Sequence, residues 1–223
     1  MSVQVDLSVL ELVCSRLCHD LVGPVGAAAN GIELLRETMG SGSDDVLDMT
    51  DESARTAWRR LEFFRVAFGY GGGRNGWSEA ELTALANGML QDTRTELDWP
   101  PSGLGTDIAG RGGKLILNLV FLMAEAMPRG GRLKVSLRES GENLIASFKG
   151  LGNGAALNPR VASTVTGKVP PGVLDSRVIL AHLTYLQCYS AGATIHLDSG
   201  DDRVEAEVTM PLTVGMEEDL EPA

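Results

Sequence analysis

The sequence predicts an α+β protein, an N-terminal helical hairpin joined to a C-terminal α/β sandwich. Three observations carry this. Apolar residues recur at helical spacing through residues 1–70; a glycine-rich break, Gly69-Tyr-Gly-Gly-Gly-Arg-Asn-Gly76, interrupts them; and strand-like alternation mixed with helical patterns follows. Three segments result: a hairpin at 1–70, a mixed body at 77–214 and an acidic tail at 215–223.

In the first helix Leu7, Leu10, Cys14, Leu17, Leu21, Ala28 and Leu35 recur at alternating steps of three and four, with one step skipped at Pro24. Gly40-Ser-Gly-Ser43 makes a turn, and Ser43 or Asp44 can cap the next helix. That helix carries Leu47, Ala54, Trp58, Leu61, Phe64 and Phe68 on one stripe. The two helices should run roughly 30 and 25 residues, about 45 and 38 Å. A lone hairpin cannot bury two apolar stripes. A second copy completing a four-helix bundle solves this, so a homodimer is expected. Packing of both helices on the rest of the chain is the alternative, which the glycine-rich break disfavours.

Beyond the break, Ser78-Glu-Ala-Glu81 is a capping box opening a helix to about Gln91. Residues 112–127 are apolar almost all round and predict a deeply buried helix. Leu133, Val135 and Leu137 alternate with polar residues, as do Val204, Ala206, Val208 and Met210, and predict half-buried strands. Leu144–Phe148 and Thr194–Leu197 add two strands, and Asp175–Tyr189 another helix. Helices laid on one face of a mixed sheet are the expected result.

Composition narrows the function. The 223 residues carry 19 Lys+Arg against 30 Asp+Glu, a net charge of −11, which argues against nucleic acid or an anionic membrane as the partner. No apolar run reaches the ~18 residues a membrane span needs. The N-terminus lacks the basic-then-apolar pattern of a signal peptide, and three cysteines make no disulfide framework, so a reduced, cytoplasmic protein is expected.

His19 falls two positions after Leu17, away from the apolar seam, and should face solvent midway along a rigid helix. Ser15, Gly23, Gly26, Asn30 and Glu33 fall within about 40° of it. Interior glycines cost ~1 kcal/mol each relative to alanine, and Pro24 ~3 kcal/mol. Residues that weak, gathered beside one histidine, make a smooth strip where another backbone can approach. Pro24 also leaves the Asp20 carbonyl without its helical donor and should bend the helix there. Cys14, placed in the seam, is a poor metal ligand, and an open helix face offers no pocket for a Ser-His-Asp hydrolase. A nucleophilic imidazole that carries a phosphoryl group remains, with Asp20 as the acidic neighbour holding the other ring nitrogen. Adjacent helical residues do not normally face each other, so that contact demands a particular pair of rotamers. His182 is expected to be a partly buried structural residue and His196 to lie on the wet strand face.

Cys18-His19-Asp20-Leu21-Val22-Gly23-Pro24, followed by Asn30-Gly-Ile-Glu-Leu-Leu35, resembles the phosphoacceptor box of histidine kinases and, more closely, the ChpT-like histidine phosphotransferases of alphaproteobacteria. The resemblance covers nearly the whole chain. It implies a dimer built on a central four-helix bundle, each hairpin followed by a domain resembling the ATP-binding (Bergerat) domain of histidine kinases. It also implies a phosphorelay, in which a phosphoryl group passes from one receiver-domain aspartate to histidine and on to another receiver. Receivers of a hybrid histidine kinase and of response regulators are the implied partners. Carried over, His19 is the phosphoacceptor and Asp20 its acidic neighbour. Around them Ser15, Arg16, Val22, Gly23, Pro24, Gly26 and Asn30 are expected to form the docking face. Gly23 replaces the Thr or Asn that many kinases carry four residues after the histidine, which puts kinase-style phosphatase activity in doubt.

Against the same resemblance the nucleotide boxes are depleted. Asn118 matches the first asparagine of the kinase N-box, but Leu122 stands where the magnesium ligand belongs. Phe148-Lys-Gly-Leu-Gly-Asn-Gly154 lacks the adenine-binding aspartate, and the lid shrinks to Pro170-Pro-Gly-Val-Leu-Asp175. No cofactor and no bound metal are expected on this chain; Mg2+ would sit on the partner receiver. Phosphoryl transfer from ATP depends on charge neutralisation by a metal, so glycines alone do not make an ATPase. Two rival functions stand beside the relay: a sensor-type kinase with degenerate boxes, and an adaptor that binds receivers and transfers nothing.

Overall fold

The computed structural model describes residues 5–37, 43–69 and 76–212. Helices α1 (Leu7–Glu37) and α2 (Ser43–Ala67) form the hairpin. They cross closely at Gly31, where a Cβ would lie 2.0 Å from Thr50 Oγ1, so only glycine fits that approach. The helix α1 runs through Pro24 as one element. The turn at residues 40–43, most of the glycine-rich break and the acidic tail lie largely or wholly outside the described residues.

The remainder holds a two-residue ladder of β1 (Gly76–Trp77) with β3 (Ile108–Ala109) and a five-stranded sheet. The sheet comprises β2 (Thr95–Asp98), β4 (Gly131–Ser140), β5 (Asn143–Leu151), β6 (Thr194–Gly200) and β7 (Arg203–Pro211), ordered β2-β4-β5-β7-β6. β2 runs parallel to β4 and the other pairs are antiparallel. Four helices accompany it: α3 (Glu79–Leu90), α4 (Gly110–Glu125), α5 (Pro159–Val165) and α6 (Ile179–Ala191). Leu133, Val135, Ala146, Phe148, Val204, Ala206 and Val208 share one core with Leu115, Leu119 and Met123 of α4. Lys134, Ser136, Arg138, Lys149 and Glu207 are exposed between them, so one sheet face is covered and the other wet. The mixed class and helical N-terminus are those the sequence predicts. The capping box is complete, with the Ser78 hydroxyl accepting from the Glu81 N–H and the Glu81 carboxylate accepting from the Ser78 N–H.

Three expectations need correction. The helix expected over Asp175–Tyr189 begins only at Ile179, because the Asp175 carboxylate accepts from the Arg177 N–H and from the Arg160 guanidinium, holding a turn there. β2 and α5 were not expected. Thr95-Glu-Leu-Asp98 carries little strand propensity, and it is the parallel pairing to β4 that makes it a strand.

The largest correction concerns how hairpin and body meet. They were expected to pack apart, yet Phe63, Phe64, Val66 and Ala67 of α2 sit in the same core as α3 and α4. Val9 of α1 is buried against Ile179 and Leu180 of α6. The α2 C-terminus is held too. Its last carbonyls lack helical donors, and Ala67 O accepts from Asn118 Nδ2 and Gln187 Nε2, both at 3.0 Å. Gly69 O accepts from Lys114 Nζ.

Candidate functional site

The His19 side chain is 83% exposed, outward on the open side of α1. Its Nδ1 lies 3.3 Å from Asp20 Oδ1, the contact between adjacent helical residues that needs special rotamers. Arg16 supplies the reason for it. Arg16 Nε, one turn earlier, donates to Asp20 Oδ2 at 2.9 Å and pins that carboxylate, leaving Oδ1 turned toward the ring. Arg60 of α2 donates to the Asp20 main-chain carbonyl, the acceptor deprived of its donor by Pro24. The expected defect is therefore real and is filled across the hairpin.

Arg16 also reaches the body. Its guanidinium pairs with Glu125, at the end of α4, and approaches Ser176 O at 3.5 Å. Partial desolvation pushes the Glu125 carboxyl above the ordinary range, while the Arg16 guanidinium beside it pulls the other way. A cavity of about 230 Å³ opens beside this pair, with Leu122, Leu157, Val161 and Leu180 among its apolar lining and Arg16, Glu125, Asn158 and Arg177 among its polar lining.

The expected site residues divide accordingly. Ser15, Val22, Gly23 and Asn30 are exposed around His19, and Gly26 is half-buried. A Cβ at Gly23 or Gly26 would meet nothing within 4 Å, so no packing inside the chain requires either glycine. Pro24, like Gly26, is half-buried, and Arg16 is engaged by Asp20 and Glu125. Cys14 was assigned to the apolar seam and is exposed in the single chain. Arg60 and Glu125 were missed. The orphaned Asp20 carbonyl signalled that some donor must exist, but nothing in the sequence says which residue reaches it. The ion pair of Glu125 spans 109 residues and has no local signature.

The residues resembling nucleotide boxes have other employment. Asn118 is buried among Ala67 O, Lys114 O and Gln187 Oε1, all within 3.0 Å, as part of the α2 cap. A Cβ at Gly150 would lie 2.7 Å from Val204 Cγ2, and one at Gly152 would lie 2.2 Å from Gly130 O, so close packing accounts for both glycines. Among the described residues no group of three or more His, Cys, Asp or Glu could hold a metal. His182 is buried, His196 is exposed, and no described helix is long and apolar enough to cross a membrane.

The chain is similar to known proteins in both sequence and fold. The family model of the histidine phosphotransferase C-terminal domain matches residues 79–203. Protein phosphotransferase ChpT of Brucella abortus (strain 2308) is 32% identical over 213 residues, which span 93% of this chain and all of that one. A solved structure of a bacterial phosphotransferase is 28% identical and superposes with a TM-score of 0.79 over 93% of this chain and 98% of its own.

Proposed function

The chain belongs to the histidine phosphotransferase family, and from that premise we propose that it relays a phosphoryl group between receiver-domain aspartates through His19, without ATP. The observation that carries this is the ring itself: exposed, with Nδ1 facing a carboxylate that Arg16 holds in place, which leaves Nε2 outward as the nucleophile. The Nε2 lone pair attacks the phosphorus of a receiver acyl phosphate in line. The N–P bond forms as the O–P bond to the aspartate breaks, and its electron pair leaves on the receiver carboxylate. The Nδ1 proton stays on the ring beside Asp20, whose negative charge stabilises the cation that develops. The reverse steps deliver the group to a second receiver. The receiver supplies the metal and most of the charge neutralisation, and this chain supplies alignment.

The open space over Gly23 and Gly26 suits a receiver helix lying beside the ring. The commitment of Asn118 to the α2 cap, with Leu122 one turn on, supports a nucleotide-free role over the sensor-kinase reading. A second copy is the remaining partner. Leu7, Val25 and Ile32 on α1, and Leu47, Trp58 and Leu61 on α2, are exposed large apolar residues, which supports pairing of two hairpins into a four-helix bundle.

A transfer assay from a phosphorylated receiver tests the reading. Wild type takes up the label, His19→Gln folds and takes up none, and labelled ATP with magnesium leaves His19 unlabelled. Equal labelling of His19→Gln would overturn the assignment. Receiver binding without movement of the label would favour the adaptor.

A further inference from the structure

Four charged or ionisable groups run in line from body to ring: Glu125, Arg16, Asp20 and His19. The acidic neighbour of a nucleophilic histidine works only if its carboxylate stays aimed at the ring. Asp20 and His19 lie about 100° apart on the helix, so nothing in the helix itself aims that carboxylate. An isolated pair at i,i+4 is too weak to hold a rotamer. Arg16 is not isolated. Its Nε takes Asp20 Oδ2 while its terminal nitrogens are engaged by Glu125 and by the Ser176 carbonyl, both outside the hairpin. The guanidinium is planar, so fixing one edge against the body fixes the direction of the Nε–H that pins Asp20.

We propose that Arg16 and Glu125 are positioning residues for the transfer: Glu125, on the body, orients Arg16, Arg16 fixes Asp20, and Asp20 sets the tautomer of His19. This rests on His19 being the phosphoacceptor, as argued above. It gives the C-terminal body a part in preparing the ring before any receiver arrives. Neither residue touches the reacting atoms, so the expected signature lies in turnover and tautomer, with receiver affinity unmoved.

The test uses the full chain and a labelled receiver, with Arg16→Gln, Glu125→Gln and the double variant. Each single variant should lower kcat roughly tenfold, with KM for the receiver within about twofold. The double variant should be no slower than Arg16→Gln, because Glu125 acts only through Arg16. Nitrogen NMR of the histidine rings should show the Nδ1–H share of His19 falling in both single variants. Arg16→Lys, which keeps the charge and loses the planar fork, should stay slow. Unchanged kcat, a rise in KM alone, additive losses or an unmoved tautomer would each overturn the proposal. Wild type that takes no label would overturn the phosphoacceptor reading itself, an outcome distinct from labelled wild type with unaffected variants.

Discussion

Arg60 on α2 donates to the main-chain carbonyl of Asp20 on α1, the acceptor that Pro24 leaves vacant. A helix defect beside the proposed phosphoacceptor is thus closed from the opposite helix, and the segment around His19 depends on the hairpin staying paired. Arg60→Ala should lower stability by about 1–2 kcal/mol. The loss should shrink in a Pro24→Ala background, where residue 24 regains an N–H for the same carbonyl. Urea unfolding of the two single variants and the double variant measures that coupling, and equal losses in both backgrounds would refute it.

The glycines of α1 should separate by role. Gly23→Ala adds a Cβ to open space in a helix interior and should stabilise by about 0.5–1 kcal/mol. Gly31→Leu forces atoms into Thr50 and should destabilise by about 1–3 kcal/mol. Gly26→Leu should leave the melting temperature nearly unchanged while slowing transfer from the receiver at least tenfold, about 1.4 kcal/mol. Unimpaired transfer by Gly26→Leu would remove the strip from the docking face.

His182 gives the fold an acid sensitivity. Its side chain is buried, Nδ1 finds no partner among the described residues, and burial holds its pKa below the ordinary 6.5. As pH falls below about 6.5 the unfolded chain takes up a proton that the folded chain refuses, so stability falls with it. His182→Leu should flatten the melting-temperature profile between pH 7 and pH 5, as followed by circular dichroism. A variant as steep as wild type would assign the slope to other groups.

Trp58 is 62% exposed on the α2 stripe. If two hairpins pair there, Trp58→Glu places a charge in the bundle core and should weaken association by about 2–4 kcal/mol. Sedimentation equilibrium reads this directly: wild type as a dimer, the variant as a monomer with the same helical content. A wild-type monomer at micromolar concentration would end the bundle proposal.

Much of this was legible because it is local. The capping box at Ser78, the alternation through Leu133, Val135 and Leu137, and the solvent-facing azimuth of His19 are each fixed by residues a few positions apart. The α1 stripe was only partly read. Leu17, Leu21, Ala28 and Leu35 do turn half inward, but Leu7, Leu10 and Cys14 remain outside, and the exposed Val25 and Ile32 were not singled out. The seam drawn through one apolar line in fact straddles two directions of packing. What stayed hidden was the join between hairpin and body. The helix neighbours of Asn118 suggest a kinase box, while its bond to Ala67 spans 51 residues and leaves no mark on either segment. Arg16 was placed on the docking face by its position near His19, whereas its distant partner Glu125 decides where it points.

The clasp of Asn118 and Lys114 on α4 and of Gln187 on α6 ties the end of α2 to the helices that cover the sheet. Whatever approaches the imidazole from the Arg16 side therefore meets the body as well as the hairpin.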